Sequence, residues 1–455
     1  MALSLFAANA LTPEGWRRDV RIDIEAQGTI AAVHDGASGQ GAEHAAGPLI
    51  PGMPNLHSHA FQRAIAGRTG RAASGGDSFW TWRAAMYAFL DRVDADAFAA
   101  IAAQAYVEML KAGYTRVAEF HYVHHDPGGK PYADPAELAR RIVAAATATG
   151  IALTLLPVFY AHAGFGGTPA VAGQRRFVHS VATYARVIEA LAKDAARDGW
   201  NLGVAPHSLR AVTPDELAAI VALVPQRTPI HIHAAEQQGE VDDCVAWSGE
   251  RPIAWLLDHA GVDSRWCVVH ATHMTADETR GLAASAAVAG LAPTTEADLG
   301  DGTFAARDYL GAGGAFGVGS DSNTIVDPYA ELRQLEWSQR LAHRSRNVLA
   351  TATADAPVGL ALYAAAARGG ARAAGVAAGA IAPGCRADLV VLDATDPALA
   401  GHGADTMLDA AIFGPCRKPV RDVMVGGRWV VRDGRHADEE PVLRSYRSAI
   451  AEISR

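Results

Sequence analysis

From about residue 50 to residue 320 this chain alternates between short apolar runs and alanine-rich stretches of helical periodicity. Strands that alternate with helices read as βαβ units, and the crossover helices force the strands to run parallel. Eight such runs stand near 49–56, 115–122, 151–159, 202–207, 229–234, 267–271, 287–293 and 315–320. Between them lie helical tracts such as "DAFAAIAAQAYVEMLKAG" and "PDELAAIVALV", the second opening on a capping signal at Thr213. Eight strands with helical crossovers predict an α/β fold, a (β/α)8 TIM barrel, whose active site belongs at the C-terminal ends of the strands.

The polar residues follow that geometry. His57 and His59 come after the first strand, Tyr122 ends the second, His207 the fourth, His233 the fifth, His270 the sixth, and Asp321 follows the eighth. A core alone has no need of imidazoles at so many strand ends. In extended backbone, side chains two apart share a face, so His57 and His59 can grip one ion. "PIHIHAAEQ" repeats the spacing: His233 is nearer the mouth, His231 belongs to a packed layer below, and Glu236 follows just past the strand. In "CVVHATH" His270 should face inward, with His273 a loop residue; "AFGVGSDSN" places Asp321 after a glycine-rich strand that lets a ligand approach. A buried aspartate there requires a cation beside it. Together these residues form a nitrogen-rich site suited to zinc or another first-row divalent ion.

The remaining sequence narrows the setting. A net charge of -9 and no basic stripe argue against a nucleic-acid partner. No apolar tract reaches a spanning length and "MALSLFAANAL" lacks a basic n-region, so no membrane association and a cytoplasmic location are expected. Cys244, Cys267, Cys385 and Cys416 show no C-x-x-C spacing and read as reduced thiols. Both chain ends are strand-rich, and neither has enough strands for a core of its own. The expected division is therefore 1–49 and 381–455, which share a small β-sandwich with a terminal helix, around a barrel at 50–380.

The constellation of H-x-H, a fifth-strand His, a sixth-strand His and an eighth-strand Asp resembles the amidohydrolase superfamily of metal-dependent barrels. Some members bridge two metals with a carboxylated lysine after the fourth strand; no lysine lies between Leu202 and Arg210. The resemblance therefore implies the one-metal branch, with one Zn2+ per subunit on His57, His59, His233 and Asp321. In "PGMPNLHSHAFQRAIAG", "FWTWRAAMYAFLDR", "GYTRVAEFHYVHH", "VAPHSLRAV", "HIHAAEQQGEVDDC", "WCVVHATHM" and "APTTEADLGDGTF" the chain resembles the formimidoylglutamate deiminases of histidine degradation.

That likeness implies hydrolytic deimination of N-formimino-L-glutamate to N-formyl-L-glutamate and ammonia, and a homodimer. It implies catalytic roles for Glu236, His270 and Asp321, and substrate contacts from Gln62, Arg83, Tyr122, His207 and Arg210. Two arginines suit a small-molecule substrate with two carboxylates, because a planar guanidinium pairs with carboxylate in a bidentate way. The alternatives are a related zinc enzyme that deaminates a heterocycle of the guanine or adenosine type, and a catalytically inactive barrel that serves as a binding protein. A closing lid and a merely flexible loop both fit "GFGGTPAVAGQRR".

Overall fold

The structure, a computed structural model, describes residues 3–70, 78–350, 357–403, 405–416 and 418–455. Its barrel strands are Met53–Ser58 (β1), Tyr114–His121 (β2), Ala152–Phe159 (β3), the two pieces Asn201–Leu202 and Ala205–Pro206 (β4), Ile230–Ala234 (β5), Trp266–His270 (β6), Val288–Leu291 (β7) and Ala315–Val318 (β8). They pair in parallel as two arcs, β1 to β4 and β5 to β8. Bridges at Val204 with Ile230 and Ser208 with His233 join β4 to β5, and Ser58 with Asp321 joins β1 to β8. The ring is thereby closed, and the strand ends that carry the polar residues face one mouth.

Helices pack outside through apolar stripes. In the helix Ala95–Ala112, Phe98, Ile101, Ala102, Ala105, Tyr106, Met109 and Leu110 are buried, the three-and-four spacing of a single face. Asp94 caps its start by accepting from the Ala97 N–H at 2.8 Å, and Gly113 ends it at φ 98°, where a side chain would be strained. Loss of the Asp94 carboxylate would cost that helix about 1 kcal/mol. At the β1/β8 seam a Cβ on Gly319 would lie 2.5 Å from the His57 carbonyl oxygen, so only glycine lets the two strands meet beside the site.

Both chain ends meet in one nine-stranded sheet, in which Leu49–Pro51 stands between the N-terminal strands Leu3–Thr12, Gly15–Ile24 and Ile30–His34 and the C-terminal strands Leu389–Leu392, Val420–Val425, Arg428–Arg432 and Arg435–His436. Leu5, Val20, Ile22, Leu389, Val391 and Met424 belong to its separate core. The run at 49–56 is thus two strands. Gly52 separates them, packed so tightly on Thr115 that a Cβ would lie 2.3 Å from its Cγ2. The terminal helix Glu439–Ile453 docks near the helix Ala95–Ala112 through Lys111 and Glu439. No helix among the described residues is long and apolar enough to cross a membrane.

The segment 164–176 is held at its far end. Arg176, 1% exposed, donates from Nε to the His125 carbonyl at 2.9 Å and from Nη1 to the Val93 carbonyl at 2.8 Å. Gln174 is also buried, and its Nε2 donates to the Tyr160 hydroxyl at 2.7 Å. The turn Phe165–Gly167 is also held, its Phe165 ring stacked on Trp247 with centroids 5.5 Å apart, and Thr168, Pro169, Val171 and Ala172 are exposed.

Candidate active site

Three imidazoles converge at the mouth. His57 Nε2 lies 3.2 Å from His59 Nε2 and 3.0 Å from His233 Nε2, and one ligand atom of each lies within 4.8 Å of the others. Two of the rings are oriented from behind: His59 Nδ1 donates to the Phe120 carbonyl at 2.9 Å and His233 Nδ1 to the His207 carbonyl at 3.1 Å, while His57 Nδ1 has no partner among the described residues. With Nδ1 carrying the proton, each Nε2 offers a lone pair to the same point. Lone pairs facing one another at such distances repel unless a cation sits between them. Asp321 Oδ1 joins them, 3.4 Å from His57 Nε2 and 3.3 Å from His59 Nε2. Three neutral nitrogens and one carboxylate form a donor set that fits a divalent first-row ion.

Electrostatics agree with that use. Burial pushes the His57 pKa down to about 3 and lowers those of His59 and His233 as well, keeping the imidazoles in the neutral form that ligates metal. For Asp321 burial pulls upward, but His57 beside it and the positive charge of nearby His270 hold its pKa below the usual carboxylate range. The backbone is strained at the same strand ends: Ala235 has φ 53°, His270 68°, Ala271 48° and Asp321 42°. Non-glycine residues rarely adopt this left-handed conformation, and it gathers where side chains must be aimed away from the strand pleat.

Further out, Glu236 is buried, its Oε1 3.8 Å from His270 Nε2 and its Oε2 3.4 Å from Arg210 Nη2. Burial raises the Glu236 pKa, against the pull of His270 and Arg210. Burial would lower that of His270, yet Glu236, Glu296 and Asp321 around it raise it to about 10. Arg210 also approaches Glu240, at 4.0 Å. Arg83, on the helix Phe79–Leu90, lies over the Trp80 ring at 4.4 Å and makes no ion pair among the described residues. Gln62 donates to the Tyr122 hydroxyl at 2.9 Å, and His207 contacts Ser208 Oγ at 3.0 Å.

Gln62, Arg83, Tyr122, His207, Arg210, His59, His233, Glu236, His270 and Asp321 therefore line one cleft; His57 lies beneath them, fully buried. His231 is a layer below, bonded through Nε2 to the Ala373 carbonyl at 2.8 Å, and His273 turns away to the Asp301 carbonyl.

Several lining or supporting residues escape a reading of sequence. Tyr160 lines the cleft within electrostatic reach of both Arg210 and Arg83. Asn55 Nδ2 donates to Ser320 Oγ, which donates to Asn323 Oδ1; Asn323 Nδ2 in turn reaches the His59 carbonyl at 3.0 Å. That chain locks β1 to β8 beneath the convergent imidazoles. Glu119 accepts from the Ala60 N–H at 2.7 Å, and burial pushes its pKa up to about 7.

Comparison with known proteins gives the family. The model described as "Amidohydrolase family" matches residues 49–430, and that for "Formimidoylglutamate deiminase HutF, N-terminal domain" matches residues 3–47. The chain belongs to the amidohydrolase family, a class of metal-dependent hydrolases. It is 53% identical over 451 residues, 99% of either chain, to a formimidoylglutamate deiminase of Pseudomonas aeruginosa. Similarity to a 5-methylthioadenosine/S-adenosylhomocysteine deaminase of Natronomonas pharaonis is lower, 28% identity over 99% of this chain and 98% of the other. Among solved structures, an amidohydrolase from Brucella melitensis superposes with a TM-score of 0.95 at 48% identity, covering 100% of both chains. A zinc-complexed atrazine chlorohydrolase from Arthrobacter aurescens TC1 shares the fold, with a TM-score of 0.83 at 19% identity over 98% of this chain and 100% of the other.

Proposed function

We propose that this chain hydrolyses N-formimino-L-glutamate to N-formyl-L-glutamate and ammonia, with one zinc ion per chain on His57, His59, His233 and Asp321. The observation that carries the reading is a single cleft in which convergent imidazoles meet Glu236 and His270, with Arg83 and Arg210 on its walls. The full-length likeness to a formimidoylglutamate deiminase supports it.

A divalent ion on those four residues supplies Lewis acidity that lowers the pKa of water to about 7. Asp321, held ionised by its imidazole neighbours, accepts the proton that the water gives up as its oxygen bonds to the formimino carbon. His270, charged and pointing Nε2 toward Glu236 and Asp321, donates a hydrogen bond to the developing tetrahedral centre. Glu236, its pKa raised by burial, delivers a proton to the terminal nitrogen. The C–N bond to that nitrogen breaks and ammonia leaves, the hydroxyl proton on the carbon passes to the Glu236 carboxylate that has just been vacated, and the carbon keeps its oxygen as a formamide carbonyl; Asp321 returns its proton to solvent. Arg83, with no carboxylate of its own among the described residues, and Arg210 are the groups suited to the two substrate carboxylates.

The test is product analysis of the purified enzyme. Ammonia and N-formylglutamate are expected in equal amounts; formamide and glutamate would contradict the assignment of the leaving group. Arg83→Ala should raise KM about 10- to 100-fold, the equivalent of losing a charged hydrogen bond worth about 1.5–3 kcal/mol. An unchanged KM would instead favour a heterocyclic substrate without carboxylates.

A further inference from the structure

The proposed chemistry requires His270 to present Nε2 to the reacting atoms, yet the strand does not dictate how this ring is turned. At His270 the backbone leaves β geometry for φ 68°, so the pleat no longer sets the direction of the side chain. Its ring stacks on His233 with centroids 5.5 Å apart and planes 14° from parallel. Stacking fixes the plane but permits a half-turn about the Cβ–Cγ bond, which would exchange Nδ1 with Cδ2 and Nε2 with Cε1 and so move Nε2 off its present position.

One side chain breaks that symmetry. Glu296, 4% exposed, stands in the first turn of the helix Pro293–Leu299, which follows β7 directly. Its Oε1 lies 3.3 Å from His270 Nδ1 and also accepts the Ala292 N–H at 3.0 Å. The backbone that carries this side chain is itself held, because the Glu296 N–H donates to the Ala292 carbonyl at 2.9 Å and the Asp301 N–H donates to the Glu296 main-chain carbonyl at 2.9 Å. On the opposite edge of the ring, Nε2 faces Glu236 Oε1 at 3.8 Å and Asp321 Oδ2 at 4.0 Å.

We infer that Glu296 is a positioning residue: by accepting from His270 Nδ1 it selects the ring orientation that turns Nε2 toward the scissile amidine. The inference rests on the role proposed above for His270. Glu296 makes no contact with substrate in this scheme and acts only through that ring, as the acceptors behind metal-bound histidines do.

A double-mutant cycle separates this role from helix capping, for which the Ala292 contact alone would suffice. Glu296→Leu should lower kcat about 10- to 100-fold, the usual cost of removing such an acceptor, while KM stays within about threefold and bound zinc per chain is unchanged. Glu296→Gln, which keeps an acceptor oxygen, should restore most of the rate. In a His270→Asn background, Glu296→Leu should cost no more than about twofold, because nothing is left to orient. Equal losses in both backgrounds, or loss of zinc from Glu296→Leu, would overturn the inference. Should the leucine variant not fold, Glu296→Asp withdraws the carboxylate by one methylene and makes the same comparison. If His270→Asn retains full kcat, the role of His270 fails and the inference with it; if His270→Asn is crippled but Glu296→Leu is not, the inference alone fails.

Discussion

Two groups of buried histidines lie close together in this molecule, and only one has the makings of a site. His57, His59 and His233 point three Nε2 atoms at one place and add Asp321. Around the end of β2, His121, His124 and His125 pack with His179 at comparable range, with ring centroids 4.4 Å apart for His124 and His179 and 5.3 Å for His121 and His124. There the nitrogens disperse. His124 Nε2 goes to the Val158 carbonyl at 2.9 Å, His125 Nε2 to the Val178 carbonyl at 2.8 Å and His179 Nδ1 to Thr183 at 3.2 Å, while neither nitrogen of His121 has a partner among the described residues. No carboxylate pairs with this second group among the described residues. Proximity of imidazoles is therefore only packing; convergence of lone pairs on a point that also has an anion makes a cation site.

The sharpest way to break the comparison is to remove one ring from each group. His233→Ala should lose bound metal and lower ammonia release by about 10^3-fold or more, the scale on which whole catalytic functions act. His121→Phe should keep its metal and kcat to within about threefold, since it touches no ligand. Metal analysis and steady-state rates on the two variants would show it; loss of metal from His121→Phe would erase the distinction.

A smaller effect separates the groups by acid stability. Burial pushes the pKa of His121 and of His179 down to about 3, against about 6.5 in an unfolded chain. Both are neutral in the fold, so this stability is complete above pH 6.5 and is lost as pH falls from there toward 3. At pH 5 each such ring costs about 2 kcal/mol relative to pH 7. His121→Phe should therefore unfold at a higher temperature than the parent at pH 5, with the gap closing at pH 7.5. A gap independent of pH would show that His121 does not carry this burden.

The sequence carried the site further than the supports beneath it. His57 and His59 are legible because the two-residue period of a strand puts them on one face, and the same period singles out His233 over His231. Arg83 and Arg210 are legible only through resemblance, since nothing local separates them from the many surface arginines. Glu296 was hidden for a different reason: "PTTE" reads as the opening of a helix, and its reach to His270 depends on how that helix docks after β7. The Asn55, Ser320 and Asn323 lock joins residues more than 260 positions apart along the chain, a distance no periodicity spans. Gly52 divides the run at 49–56 because the outer sheet claims Leu49–Pro51, which pairs with Leu389–Leu392. That competition is tertiary.

Zinc titration of chelator-stripped enzyme tests the central claim most directly, with bound metal and ammonia release from N-formimino-L-glutamate followed in the same samples. Both should rise together and level off at one ion per chain, in the parent and in His121→Phe alike. Full activity before metal is added, or a rate that climbs only as a second ion binds, would contradict a single-ion site built from His57, His59, His233 and Asp321.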